Sequence, residues 1–261
     1  MSVGDRIATP DGKRRYVRAL FATIADRYDF ITVALSYGQD RRWKRRLIDL
    51  ASPRPGARAL DLATGTGDLA FALAARGARV VGLDITLRMI ELARQKRKRP
   101  AESLALHPGE ACDQAAGARA FQASDRATFL VGDMLALPFP GASFDIVTTG
   151  YGLRNVPNLT AAIDEIGRVL TPGGQLLSLD FNRPSNAVVR AAYLAYLTLV
   201  GAALGWVLHR DPDTYRYIPA SIRQYPGADA VVRLFEAQGF HSVRAYPVLG
   251  GLMTIHHAVR R

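Results

Sequence analysis

The stretch LDLATGTGDLA, residues 60–70, decides the fold of this chain. An apolar run ends at Asp61, the glycine turn GTG follows at 65–67, and a helix-like run begins at Asp68. This order predicts a strand, a tight turn and a helix N-terminus, where glycine lets a ligand approach unpaired N–H groups closely. The glycines also fit the dinucleotide fingerprint, so they do not identify the ligand alone.

Two acids near this turn narrow the choice of ligand. Asp61 stands at the predicted strand end, where a carboxylate repels a pyrophosphate and suits a cationic amine, such as the methionine end of S-adenosylmethionine (SAM). Asp84 ends the next apolar run, 17 residues after Gly67. An acid about 20 residues after a glycine turn typically holds ribose hydroxyls. A cap of the following helix is the alternative role for Asp84.

Apolar runs and helical patterns alternate through the rest of the chain, which predicts βαβ units and a parallel sheet. The tail predicts a helix at 229–238 followed by an antiparallel hairpin. Strands are predicted at 59–62, 80–84, 128–132, 144–149, 175–181, 243–248 and 252–259, and helices at 68–75, 87–98 and 159–170.

The N-terminal segment and residues 99–126 do not follow this alternation of strands and helices. Residues 1–15 are expected to be disordered, and two helices are expected at 15–25 and 40–51, joined by YDFITVALSYGQ. Residues 99–126 are rich in Ala, Gly and polar residues without a clear period, which predicts a flexible insertion.

Composition excludes several classes of protein. A net charge of +11 comes without zinc-finger spacing or an aromatic ribonucleoprotein motif, so no nucleic-acid partner is expected. One cysteine, Cys112, allows no disulfide framework, and no cluster of metal ligands appears, so no metal is expected. No signal peptide is visible, which predicts a cytoplasmic protein. The basic cluster at 41–46 could contact anionic lipid or be a solvated helix face.

The run AAYLAYLTLVGAALGWVL, residues 191–208, carries no charge. Its length is borderline for a membrane span, but it lies between strands that should share one sheet. We therefore expect a helical cover over the substrate site at 185–210. The cover could grip an apolar tail or a membrane surface, and an ordinary core helix is the alternative.

Several motifs together resemble the ubiquinone/menaquinone biosynthesis C-methyltransferases. Thr32, Asp40 and Asp180 depart from the family pattern, which leaves the branch of the family open. The phrases GYGLRNV and LDFNRP are closest to the naphthoquinone side. The matching pieces are YDFITVALSYGQDRRW (28–43), LDLATGTGDLA (60–70), LPFPGASFD (137–145), GYGLRNV (150–156), RVLTPGG (168–174) and YRYIPASIRQYP (215–226).

The resemblance implies an α/β fold: a Rossmann-like, seven-stranded class I methyltransferase sheet with helices on both faces. It divides the chain into an N-terminal helical cap at 1–52 and a SAM-binding domain at 53–261. The donor would lie at the carboxyl ends of the strands, in contact with Asp61, Gly65, Thr66, Gly67, Asp84, Ile85, Asp133, Met134 and Gly150. A turn cap is the alternative role for Asp133.

The same resemblance implies C-methylation of a quinol, for which the enzyme must make a ring carbon nucleophilic. Arg154 is the candidate cation for the developing phenolate, since a guanidinium stays charged and donates in a fixed fork. Asn155 could orient the quinol oxygen, and Tyr28 could relay a proton or close the site. A salt bridge that only holds the loop is the alternative for Arg154.

The expected reaction is SAM-dependent methylation of a lipophilic prenylated quinol, demethylmenaquinol or the phylloquinone equivalent. Benzoquinol methylation in ubiquinone biosynthesis is the nearest alternative. A nucleotide-dependent oxidoreductase and a catalytically silent membrane-surface protein are alternatives of other classes. The location is expected to be the cytoplasm, with peripheral contact at the inner face of the membrane and a homodimer left open.

Overall fold

The computed structural model describes residues 3–36, 38–98 and 125–261. Its strands form one seven-stranded sheet, which confirms the predicted fold class. They are β1 (Arg58–Leu62), β2 (Arg79–Asp84), β3 (Ala127–Val131), β4 (Phe144–Gly150), β5 (Leu170–Phe181), β6 (Phe240–Val248) and β7 (Met253–Arg260).

Helices connect and cover the strands. Within the described residues, 3₁₀ turns lie at Ala25–Arg27, Leu153–Asn155 and Leu249–Gly251. The α-helices are α1 (Val3–Arg6), α2 (Pro10–Ile24), α3 (Tyr28–Leu35), α4 (Asp40–Ala51), α5 (Asp68–Ala75), α6 (Leu87–Arg97), α7 (Leu159–Val169), α8 (Ala187–His209), α9 (Tyr217–Gln224) and α10 (Ala228–Ala237).

The strand order is β3-β2-β1-β4-β5-β7-β6. Strands β1 to β5 are parallel, and β7 runs antiparallel between β5 and β6, as the predicted terminal hairpin requires. β1 is central, and Asp61 at its carboxyl end pairs in register with Gly82 and Thr148. The sequence pattern of β1 follows from this position, because a strand covered on both faces is a short apolar run.

The core lies on both faces of the sheet. On one face α4, α5 and α6 pack through residues such as Leu47, Phe71 and Ile90, all buried. On the other face α7 and α10 pack through Ile166 and Phe235. Burial of this much apolar side-chain surface is the main term that stabilises such a fold.

Local sequence sets where several helices begin. The Asn158 side chain accepts a hydrogen bond from the Ala161 N–H at 3.0 Å, which caps α7. Asn186 caps α8 in the same way, accepting from Val188 N–H at 2.9 Å. These caps satisfy first-turn N–H groups that lack a partner within the helix.

The prediction for the N-terminal segment was wrong in two places. Residues 1–15 were expected to be disordered, yet α1 and the start of α2 lie there, with Ile7 4% exposed and packed near Tyr217. The joining segment contains α3, whose Ile31 packs beside Tyr215. All three helices depend on distant contacts that local propensity does not record. The expected insertion at 99–126 lies outside the described residues, apart from 125–126.

Candidate functional site

A cleft opens where the carboxyl ends of β1, β2 and β4 meet, and we call it the strand-end cleft. It encloses about 710 Å³, including the part open to solvent. Helix α2 contributes Arg14, Val17 and Phe21 to its wall. Eight of the twelve predicted site residues line it: Tyr28, Gly65, Asp84, Ile85, Asp133, Met134, Gly150 and Asn155.

Asp84 is the last residue of β2, and its surface is only 7% exposed. Its carboxylate accepts hydrogen bonds from the Gly65 N–H at 3.0 Å and from the Thr86 N–H at 2.8 Å. Burial raises the pKa of Asp84, and the two backbone donors oppose that rise. The Thr86 side chain is a third donor to this carboxylate. A carboxylate has about four lone-pair positions, so acceptor capacity remains for a ribose hydroxyl.

Asp61 occupies a second, smaller cavity beside the strand-end cleft, of about 300 Å³ including its open part. The two cavities share Tyr28 and Gly150. Thr64 and Thr148 hydroxyls donate to the Asp61 carboxylate at 2.6 and 2.8 Å. Burial raises the pKa of Asp61 to about 6, because the charged form is poorly solvated there. A ligand ammonium at this place would favour the charged form.

The predicted turn residues Thr66 and Gly67 differ in what they do. Thr66 lines the smaller cavity, and its hydroxyl donates to Asp29 at 2.6 Å. Gly67 caps α5 with φ of +92°, and a Cβ there would lie 2.8 Å from the Phe71 ring and 2.9 Å from the Phe129 ring. The structure therefore assigns Gly67 a steric role in the turn.

Asp133 and Met134 follow β3 at the rim of the strand-end cleft. Asp133 accepts from the Leu135 N–H at 3.0 Å and forms an ion pair with Arg14 of α2 at 2.6 Å. Its carboxylate thus caps the turn and forms an ion pair. Asp133 also lies on the wall of the cleft. The ion pair connects α2 to the sheet directly above the cleft.

The smaller cavity also contains a buried ion-pair network that the sequence did not predict. Lys44 of α4 is 5% exposed, and its Nζ lies 2.7 Å from Asp40 and 2.9 Å from Asp68. Asp40 in turn accepts from the Tyr151 hydroxyl at 2.5 Å. Lys96 binds the other oxygen of Asp68 at 2.8 Å. The predicted basic cluster at 41–46 is therefore not one solvated face, since Lys44 points inward.

A third cavity, here called the apolar cavity, lies on the far side of Tyr28 and Tyr151. It encloses about 1000 Å³, including its open part, and shares Phe21, Tyr28 and Tyr151 with the strand-end cleft. Most of its wall residues come from α2, α3, α8 and the segment before β7, and others from α4, β5, β7 and the start of α9. They include Ile24, Ile31, Leu35, Trp43, Phe181, Tyr193, Tyr196, Leu197, Tyr215, Ile218, Leu249, Leu252 and Met253.

Arg154 is the charged residue on the wall of the apolar cavity, among the described residues that line it. Its Nε lies 3.0 Å from Asp180, and its Nη1 donates to Ser221 at 2.9 Å and to Asn155 at 3.1 Å. The guanidinium also stacks 4.9 Å from the centre of the Phe181 ring. Arg154 therefore forms a salt bridge that holds the loop and also lies on the wall of the apolar cavity.

Asn155 lies on the wall of the strand-end cleft and contacts Arg154, which lines the apolar cavity. It faces the strand-end cleft, and its amide donates to the Tyr151 carbonyl at 2.7 Å. Its carbonyl accepts from Arg154 and from the Tyr217 hydroxyl at 2.9 Å. Because its acceptor already has two partners, Asn155 is placed to position Arg154 and Tyr217.

Sequence reasoning missed further groups around Arg154. Asp180 is 1% exposed and accepts from the Arg154 N–H at 3.1 Å. Burial, assisted by Arg154, lowers the pKa of Lys13 on α2 to about 8. Burial raises the pKa of Tyr28 to about 12, so its hydroxyl stays protonated. Lys13 stands in a segment expected to be disordered, which gave no signal for its place.

Within residues 3–36, 38–98 and 125–261, no three His, Cys, Asp or Glu side chains group to hold a metal ion. The absence of a metal from the reaction stays a prediction. The residues present fit SAM: a buried acid at each of two strand ends, a turn with close backbone approach and a cleft with apolar walls. Sheet order and site together define a class I SAM-dependent methyltransferase.

Known proteins agree with this class. The model of the ubiE/COQ5 methyltransferase family matches residues 9–260. A demethylmenaquinone methyltransferase of Thermus thermophilus is 39% identical over 239 residues, covering 91% of this chain and 98% of that one. A ubiquinone/menaquinone biosynthesis C-methyltransferase of Cereibacter sphaeroides is 33% identical over 250 residues, covering 95% and 92%. The chain belongs to the ubiE/COQ5 methyltransferase family.

Solved structures at lower identity share the fold. A SAM-dependent methyltransferase of Thermotoga maritima has a TM-score of 0.61 at 16% identity, covering 94% of this chain and 100% of that one. A Haemonchus contortus phosphoethanolamine methyltransferase, solved with S-adenosylhomocysteine, has a TM-score of 0.55 at 14% identity, covering 84% and 52%. These matches confirm the predicted sheet.

Proposed function

We propose that the protein methylates a ring carbon of a prenylated quinol, with demethylmenaquinol as the substrate. One observation carries this proposal: an apolar cavity with a buried guanidinium on its wall adjoins the cleft that fits SAM. The names of the Thermus thermophilus and Roseiflexus castenholzii relatives support the naphthoquinol, since both are demethylmenaquinone methyltransferases.

The chemistry follows from what the two cavities place together. SAM, when bound, supplies an electrophilic methyl group on a cationic sulfur. The protein must hold the quinol ring in line with that methyl, and Tyr28 and Tyr151, the shared walls, define the boundary across which the two meet. Arg154 stabilises the phenolate oxygen, because a fixed guanidinium needs no reorganisation as negative charge develops.

The quinol hydroxyl must lose its proton before the transfer. As the C–CH3 bond forms, the S–CH3 bond would break to leave S-adenosylhomocysteine, and the proton of the methylated ring carbon must then leave so that the ring regains aromaticity. Lys13 is the group near Arg154 whose pKa, lowered to about 8, permits it to accept a proton near neutral pH. Tyr28 is a poor base with a pKa of about 12, so its hydroxyl would donate to the substrate oxygen. Asp180 keeps Arg154 in place beneath the ring through the ion pair.

The test is a methyl-transfer assay with purified protein, SAM and reduced short-tailed quinols, with product identified by mass spectrometry. We expect methylation of the demethylnaphthoquinol and loss of most turnover in Arg154→Lys. Methylation of a prenylated benzoquinol at the higher rate would transfer the proposal to ubiquinone biosynthesis, which the name of the Cereibacter sphaeroides relative also accommodates. Failure to methylate either ring would refute the proposal.

A further inference from the structure

Helix α8 presents a long exposed apolar face on the outside of the apolar cavity. We call this face the α8 stripe: Val188, Ala192, Ala195, Leu199, Ala203 and Trp206. These positions recur at helical spacing, so they lie along one side of the helix. Val188 is 77% exposed, Leu199 72% and Trp206 66%. A 23-residue helix is about 34 Å long, so the stripe is far longer than a chance exposed residue.

The opposite side of α8 is packed. Tyr193, Tyr196 and Leu197 line the apolar cavity. At Gly201 an added Cβ would lie 3.1 Å from Tyr215, and at Gly205 it would meet the Asp211 carbonyl. One helix thus separates the cavity from the outside.

By length and composition alone α8 could cross a membrane, and it is the one such helix among the described residues. Only 28% of its most apolar window is buried. The close glycine contacts bind it to the segment before α9, and its two ends connect strands of the same sheet. A transmembrane position would break the glycine contacts and the connections to the sheet. The helix is therefore better suited to lie along a surface.

We propose that the α8 stripe lies on the surface of an anionic lipid bilayer, with the helix parallel to it. The stripe itself offers no charged group for a protein partner to recognise, whereas Trp206 and the flanking Arg190 and Arg210 suit the boundary between headgroups and acyl chains. The chain's net charge of +11 adds attraction to anionic headgroups.

The part of this inference that concerns the substrate rests on the proposed function, in which a prenylated quinol enters the apolar cavity. A prenylated quinol resides in the bilayer, and only one helix separates the bilayer from the cavity proposed to receive it. Leu249 supports this geometry, because it lines the cavity and is 43% exposed. The prenyl tail need never cross water on its way to the site.

The test is flotation of the full chain with vesicles of phosphatidylcholine, with and without phosphatidylglycerol. We expect binding to the anionic vesicles that weakens with salt, and a loss of at least about tenfold in partitioning for Leu199→Asp/Trp206→Asp. Leu130→Asp/Val131→Asp, at a pair of exposed apolar residues on the edge strand β3, adds the same charge elsewhere, is the matched control and should bind far better than Leu199→Asp/Trp206→Asp. Absence of vesicle binding by wild type would overturn the proposal.

Two further measurements separate the possible outcomes. Methylation of a tail-less, water-soluble quinol should be equal in wild type and Leu199→Asp/Trp206→Asp, which shows that the variant is folded. If no quinol is methylated but flotation behaves as expected, the surface stands and the proposed function fails. If light scattering shows a dimer that the same variant dissociates, and vesicles do not bind, the stripe is a contact between two copies and the proposal is wrong.

Discussion

The protonation of Asp61 gives the sharpest test of how the donor is held. Burial raises the pKa of this carboxyl from its ordinary value of 3.8 to about 6, and the two threonine donors only partly offset that effect. Below pH 6 the group is neutral and loses its attraction for an ammonium. We therefore expect the affinity for a ligand with an amino-acid end to fall as the pH drops through 6.

The magnitude follows from that pKa. Asp61 is about nine-tenths ionised at pH 7 and about one-tenth at pH 5, so the affinity should fall about tenfold between them, or about 1.4 kcal/mol. The Asp61→Asn variant keeps an acceptor for the threonines and loses the charge. Its affinity at pH 7 should fall about 10- to 100-fold, since a hydrogen bond to a charged group is worth about 1.5–3 kcal/mol.

Titration calorimetry with S-adenosylhomocysteine measures this effect without turnover. Methylthioadenosine, which lacks the amino-acid end, is the matched control ligand: it still meets Asp84, whose pKa is also raised. Any pH dependence that comes from Asp84 is common to both ligands, so between pH 7 and 5 the affinity for S-adenosylhomocysteine should fall about tenfold more than that for methylthioadenosine, whose affinity should be unchanged in Asp61→Asn. Equal pH dependence for both ligands, or none for S-adenosylhomocysteine, would refute the placement of the amino-acid end at Asp61.

Three further substitutions test other parts of the site. Asp84→Ala should weaken donor binding at least about tenfold by calorimetry, while Ala at the surface acid Asp145 should not; equal affinities would remove Asp84 from the donor site. Arg154→Lys should retain S-adenosylhomocysteine affinity yet lose most quinol turnover in a rate assay, and a near-normal rate would make the guanidinium purely structural. Gly67→Ala should lower the free energy of unfolding by about 2 kcal/mol or more in urea titration, and Gly173→Ala, at positive φ but in open space, by about 1 kcal/mol; similar losses would contradict the steric argument.

Much of the central fold was predictable because its signals are local. The apolar run and glycine turn at 60–70 specify β1, the turn and the start of α5, and the acid at the end of β2 follows from the same periodicity. Asp84 and Asp133 could be predicted to lie near each other because the carboxyl ends of parallel strands meet at one edge, and both line the strand-end cleft. These inferences need no knowledge of distant contacts.

The N-terminal cap, residues 1–52, could not be predicted from local sequence signals. Helix α3 contains the β-branched residues Ile31, Thr32 and Val33, which disfavour a helix locally, and packing against Tyr215 overrides that preference. Likewise the Asp40–Lys44 spacing suggests only a pair on one helix, and the burial of Lys44 depends on its second partner Asp68, which is 24 residues away. Pairing between distant charges becomes visible only when the helices are in place.

Tyr28 and Tyr151 form a common wall of the strand-end cleft and the apolar cavity. A donor in the cleft and a quinol in the apolar cavity, as the proposed function places them, would be coupled thermodynamically through this wall. A ligand that shifts either ring in one cavity changes the free energy of binding in the other. By linkage the effect is reciprocal: the factor by which the donor alters quinol affinity equals the factor by which the quinol alters donor affinity. Measuring one Kd with and without the second ligand therefore fixes both, and gives the synergy between substrates as a single coupling free energy.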